Sequence, residues 1–189
     1  MAHQTSFICS CCGKEYNEWP SLAFDSPTSY HSLSEDYKAN NAELNTDFCV
    51  ICHPEQTDRF IRCVLIQKVN DRCDGLQYGL WVSLSENSFN DYRENYDNEN
   101  YVTQYFGWLS NNIPGYHFDT AIPTTVITKT GNQRPEIVPH DDVDHPFVKD
   151  YYNGITIEEA ERRINAMLQG LDGKNNQAVK KSKPWWKLW

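Results

Sequence analysis

The chain has 189 residues, 39% hydrophobic and 13% aromatic, which is enough for one domain with a sizeable core built on Tyr, Trp and Phe. Its formal charge of −9 is unevenly spread: residues 174–189 hold five lysines and no acid, so residues 1–173 carry 12 basic and 26 acidic side chains, a net of −14. A body that acidic repels phosphate backbones, which argues against nucleic acid as a main partner and suits a protein partner with a basic surface.

The chain opens on MAHQTSFICSCCGKEY, where Cys9 and Cys12 form a CxxC pair followed by Gly13. This start lacks the charged region and apolar run of an export signal, and no stretch is apolar enough to cross a bilayer as a helix. Seven cysteines, an odd number, also fit poorly with a secreted disulfide framework, so a cytoplasmic protein with reduced thiols is expected. A loop-rich stretch follows, then a short helix after Ser34, capped by it and started by Glu35 and Asp36. TDFCVIC and DRFIRCVLIQKV read as strands joined by HPEQT in a hairpin, and LQYGLWVSL as a third strand. Ser85 is placed to cap a helix on which Phe89, Tyr92 and Tyr96 recur on one face.

YFGWLSNNIPGY reads as an aromatic, turn-rich segment, AIPTTVITK as a fourth strand, and GNQRP as a turn into EIVP. The last element is a helix after Thr156, whose hydroxyl forms a capping box with Glu159. Ile157, Ala160, Ile164, Met167 and Leu171 share its face, and Gly170 or Gly173 ends it. Strands in the middle with helices outside predict an α+β domain over residues 1–173, its sheet mostly antiparallel, with an N-terminal zinc-knuckle-like turn. Residues 174–189 read as a flexible Lys/Trp-rich tail. Its Trp185, Trp186 and Trp189 suit weak contact with a membrane interface or with another protein.

The CxxC pairs carry the clearest chemistry. Zinc takes four ligands in a tetrahedron, and thiolates at i and i+3 share one ion when the backbone turns tightly between them. Gly13 favours such a turn because it tolerates positive φ. Cys9, Cys12, Cys49 and Cys52 are therefore the expected ligands. Cys63, on the partner strand of the hairpin, is an alternative fourth, and His53 is a weaker candidate. A zinc closed by four thiolates has no open position, so its role would be structural. A thioredoxin-like redox role fits less well, since no helix is read after the first pair.

Other clusters are weighed against ordinary structure. PHDDVDHP gathers His140, Asp141, Asp142, Asp144 and His145, but Asp and Pro form turns for backbone reasons, and a turn is favoured over a second metal site. Arg134 in GNQRP suits an internal ion pair. Tyr105, Trp108 and Tyr116 are candidate partner-binding aromatics, although core packing is favoured for Phe106 and Trp108. No catalytic motif is present.

CSCCG (9–13), DFCVI (47–51), FIRCVL (60–65), GLWVSLSENSF (79–89), YFGWLSNNIPGY (105–116), GNQRPEI (131–137) and DHPFVKDYYNGIT (144–156) together resemble the bacterial domain-of-unknown-function family DUF2199. The resemblance runs from about Phe7 to Leu171. Tyr16 stands where that family commonly has a histidine, and Cys52 and His53 where an acid is usual. The resemblance implies no activity; proteins of this kind sometimes look like immunity proteins beside toxin genes.

The leading expectation is a non-enzymatic, zinc-stabilised cytosolic protein that binds a protein partner, with an immunity protein neutralising a bacterial toxin as its specific form. An enzyme built around Arg134, His140 and His145 is the alternative. A zinc-ribbon nucleic-acid binder is third, and residues 1–173 lack the basic stripe it needs.

Overall fold

The computed structural model describes residues 6–8, 13, 15–131 and 133–167. The expected knuckle cysteines Cys9 and Cys12, the end of the last helix with Leu171, and the segment 174–189 lie outside them. In chain order the elements are β1 (Ser6–Ile8), β2 (Glu15–Asn17), β3 (Leu22–Ala23), α1 (Thr28–His31), α2 (Glu35–Asn41), β4 (Ala42–Leu44) and β5 (Phe48–Cys52). There follow β6 (Thr57–Gln67), β7 (Leu76–Leu84), α3 (Glu86–Glu94), β8 (Gln104–Leu109), β9 (Pro123–Ile127), β10 (Glu136–Pro139) and α4 (Pro146–Asn153). Residues 157–167 form a further helix.

The fold is α+β, as expected, and the mostly antiparallel central sheet is closed into a barrel of five strands, which the expectation of a central sheet with flanking helices did not include. β6, β7, β8, β9 and β10 pair antiparallel in succession, and β10 returns to β6 in parallel through Glu136 and Val64. A meander with an odd number of strands can close only with one parallel seam. Closure is possible because β6 is 11 residues long and offers one edge to two partners, β5 along its first half and β10 further on. Strand patterns along a sequence give spans, and this sharing of an edge leaves no mark in them.

Alternation sorts the side chains. Ile61, Cys63 and Leu65 of β6 and Leu76, Tyr78, Leu80, Val82 and Leu84 of β7 point into the barrel, where they meet Val126 and Ile137. On the outside of the same strands, Phe60 and Trp81 join Cys49 and Ile51 in a second core. Tyr30, Leu33 and Tyr37 from α1, the following turn and α2 cover it. Trp81 is fixed there by its indole N–H, which donates to Phe24 O at 3.0 Å. Its backbone N–H donates to Asn111 Oδ1 at 2.7 Å.

Caps behave as their chemistry requires. The hydroxyl of Ser34 accepts from Tyr37 N–H, that of Ser85 from Ser88 N–H, and that of Thr156 from Glu159 N–H. α3 closes one mouth of the barrel with Phe89 and Tyr92; α4 and the helix over 157–167 close the other with Phe147, Val148, Ala160 and Ile164. α4 was not anticipated from the sequence. It starts directly out of the PHDDVDHP turn, with His145 as N-cap and Pro146 at its first position.

YFGWL is a strand, not a turn. Gly107 serves close strand approach, since a Cβ there would collide with Val82 Cγ1 and lie 2.9 Å from Ser83 O.

The helix over 157–167 is seated by the buried guanidinium of Arg163. Its Nε donates to Glu159 Oε1 at 2.8 Å, and its Nη2 to Asp150 Oδ2 at 3.0 Å and to the Tyr116 hydroxyl. Tyr116 in turn donates to Asp150 Oδ2 at 2.6 Å. Hydrogen bonds from Arg162 and, against the opposing effect of burial, from Arg163 hold the Glu159 carboxyl down at about 2.

Candidate functional site

The structure does not gather the described cysteines. Cys49 and Cys52 both lie in the extended β5, where residues three apart sit about 10 Å from one another and face opposite ways. Cys49 is sealed in the second core, and burial, helped by Asp58, pushes its thiol up to about 12. Cys52 is exposed. Cys63 does not approach Cys49 across the ladder, because Cys49 is registered with Phe60 and Cys63 turns into the barrel. Its thiol is also raised by burial. Among the described residues, no three His, Cys, Asp or Glu side chains converge as a metal site. His53 instead bridges two elements: one ring nitrogen lies 3.1 Å from the Tyr37 hydroxyl and the other 3.1 Å from Asp58 Oδ2.

Arg134, His140 and His145 are likewise separated. Arg134 makes the ion pair its sequence context suggested, Nε to Asp47 Oδ1 at 2.7 Å, and the Tyr96 hydroxyl donates to the other Asp47 oxygen at 3.1 Å. It lines a cavity of about 170 Å³ with Tyr92, Tyr101 and Lys129, at the mouth closed by α3. At the opposite mouth His145 is buried. Its Nδ1 accepts from Phe147 N–H, so its Nε2 carries the proton and donates to His117 O at 2.8 Å. Both nitrogens are thereby committed to structure. His140 lies on the outside of the barrel, 3.2 Å from Thr125 Oγ1.

The three candidate aromatics divide in the same way. Tyr105 is an inward residue of β8, 7% exposed, and its hydroxyl donates to Asp91 Oδ2 at 2.7 Å. Tyr116 is held in the Arg163 network. Both hydroxyls are thus engaged within the fold. Trp108, 43% exposed, does face outward, and Phe106, 52% exposed, stands beside it. The preference for core packing of these two is thus corrected: the even spacing that turns Tyr105, Gly107 and Leu109 inward turns Phe106 and Trp108 out.

These rings form a continuous aromatic face. Phe106 and Trp108 meet edge to face with centroids 5.1 Å apart, and the His140 ring meets Phe106 at 5.6 Å. Register places Thr125 and Pro123 of β9 beside them, both half-buried. α1 and α2 cover the outside of β6 and β7, whereas Phe106 and Trp108 on the outside of β8 stand exposed among the described residues. One border of the face is acidic. β10 runs from Pro139 through His140 into a turn holding Asp141, Asp142 and Asp144. Asp144 pairs with Lys149 at 2.6 Å, while Asp141 and Asp142 are exposed and make no ion pair among the described residues. With Tyr152, whose hydroxyl donates to Pro139 O at 2.6 Å, they line an open groove.

The profile of the family described as "Uncharacterized protein conserved in bacteria (DUF2199)" matches residues 8–155. The chain belongs to that family. Neither a curated protein nor a solved structure matches it. The matched span of this DUF2199 protein covers the whole barrel, the aromatic face and α4, and stops before the helix over 157–167. No helix among its described residues is long and apolar enough to cross a membrane.

Proposed function

We propose that this DUF2199 protein is a non-enzymatic binding module that takes a protein partner with a basic surface on the outer face of β8 and β9. The observation that carries the reading is the Phe106–Trp108–His140 cluster, with Phe106 and Trp108 exposed, bordered by Asp141 and Asp142, which make no ion pair among the described residues. Aromatic anchors supply binding energy at interface centres, and charges at the rim speed encounter and set orientation. The separation of Arg134, His140 and His145 removes the geometric support for an enzyme built on them. Neutralisation of a basic bacterial toxin in the cytosol is the role that suits such a face. An acidic body of net −14 is drawn to a basic catalytic cleft and occludes it.

A structural zinc on Cys9 and Cys12 is part of the same proposal. In the extended β5, at most one of Cys49 and Cys52 can join them, and Cys52 is the one open to solvent.

The test is co-expression with the product of the neighbouring gene, using the full chain and the Phe106→Ala/Trp108→Ala variant. The expected result is a toxic product, protection by the wild type, and loss of at least about 30-fold in affinity in the variant, the scale of a lost interface hot spot. A product that is harmless alone, or remains toxic beside the wild type, overturns the immunity role. Unchanged affinity in the variant overturns the face.

A further inference from the structure

We propose that the Lys/Trp-rich segment following residue 173 docks on the aromatic face of its own chain and covers that face until a partner displaces it. The inference rests on the reading of this face as a docking surface and names its resident occupant.

The chemistry of the two surfaces is matched. The segment KKSKPWWKLW carries Trp185, Trp186 and Trp189 among lysines, with no acid from residue 174 onward. The face presents Phe106 and Trp108, already in edge-to-face contact and open for a further ring on the solvent side. Aromatic rings gain from such packing beyond the area they bury, and a lysine over an exposed ring adds a cation–π contact. Beside them, the groove of about 470 Å³ lined by Asp141, Asp142, Asp144, Lys149 and Tyr152 carries three carboxylates against one cation, and that lysine is paired with Asp144, so Asp141 and Asp142 make no ion pair among the described residues. Lysines next to the tryptophans fit that border.

The geometry permits the contact. The helix over 157–167 and the aromatic face belong to the same mouth of the barrel. The helix is tied there through Arg163 to Tyr116 and Asp150. The face lies there through His140, whose N–H donates to Pro123 O at 3.0 Å. From residue 167 to Trp185 the chain can span at most about 60 Å at its full extension. A body of this size has a radius of gyration of about 15 Å, so every point of its surface is within reach. A ligand tethered in this way is presented at an effective concentration on the order of millimolar, so even a weak contact is occupied.

The opposite mouth supplies an internal control. Glu94, Asp97 and Glu99 are exposed there, but the neighbouring Tyr96 packs its ring on Phe48 and Tyr92 and commits its hydroxyl to Asp47. A segment held by charge alone would visit both mouths. One held by charge and aromatic packing selects the face.

Zero-length carbodiimide cross-linking of the full-length monomer, mapped by mass spectrometry, decides between these. The expected result is coupling of Lys180, Lys181, Lys183 or Lys187 to Asp141 or Asp142, at least about five-fold above coupling to Glu94, Asp97 or Glu99. The yield should not depend on protein concentration, as an intramolecular contact requires. It should fall to the level of the opposite mouth in Trp185→Ser/Trp186→Ser/Trp189→Ser and in Phe106→Ala/Trp108→Ala. Equal coupling at both mouths, or persistence in both variants, overturns the proposal. So does a yield that rises with concentration, which would make a second copy the occupant. If cross-linking fails while a synthetic Lys/Trp peptide still binds the wild-type face and not the Phe106→Ala/Trp108→Ala variant, self-docking alone is lost. Failure of both removes the face as a docking site.

Discussion

Replacing Glu159 by Gln tests how the helix over 157–167 is held on the barrel. The Glu159 carboxyl sits at about 2 against an ordinary 4.5, held down first by Arg162 and then by Arg163. A difference of that size corresponds to roughly 3 kcal/mol of stability at neutral pH. The side chain is 31% exposed, so solvent screening brings the expected contribution to about 1–2 kcal/mol. Gln keeps the shape and one acceptor but loses the charge. Because the folded pKa is depressed, this stability is fully present above about pH 4.5, and it is lost as pH falls toward 2. In urea denaturation at pH 7, the variant should therefore be about 1–2 kcal/mol less stable at an unchanged denaturant slope. Its Tm should lie lower by about 2–8 °C. The gap should narrow from pH 4.5 downward. A gap of equal size at pH 7 and at the acid limit would refute the electrostatic account, as would no gap at pH 7.

Three further expectations concern the barrel. Gly107→Ala forces a methyl against Val82 and Ser83 O and should cost about 1–3 kcal/mol in thermal denaturation; an unchanged Tm would mean that β8 can move off β7. Asn111→Ala removes the acceptor for Trp81 N–H and the donor to Ser26 O, leaving a buried N–H unpaired. A loss of about 2–4 kcal/mol in the same denaturation assay is expected, and less than 1 kcal/mol would show that water replaces the amide. Brief alkylation of the native protein followed by peptide mapping should label Cys52 and spare Cys49 and Cys63, which are buried and protonated. Rapid labelling of Cys49 would place it outside the second core.

Local chemistry made much of this legible in advance. Ser34, Ser85 and Thr156 each cap the helix their sequence context announced, and the β5–β6 hairpin and β7 lie where apolar, β-branched runs placed them. The pairing of Arg134 with an acid was also readable, although its partner Asp47 lies 87 positions away. What could not be read was long-range. Closure of the barrel depends on β6 sharing an edge between β5 and β10, which no local pattern records. α4 was hidden because its first residues looked like the continuation of a turn. The aromatic face was missed for a subtler reason: a glycine between two aromatics suggested a turn, whereas alternation about Gly107 is what aims Phe106 and Trp108 outward. The CxxC at Cys49 and Cys52 lies in the extended β5, so the tight turn that its spacing suggested is not made within that pair.

The parallel seam has a kinetic consequence. Every antiparallel pairing in the ring joins strands consecutive in the chain, whereas Glu136 meets Val64 across some seventy intervening positions. The entropy of bringing such distant points together must be met before that contact returns anything. Neighbouring pairs therefore assemble early and the ring is sealed last. Until then β6 and β10 each present an unsatisfied border, which makes the window before sealing the stage at which two newly made chains are most able to pair with one another.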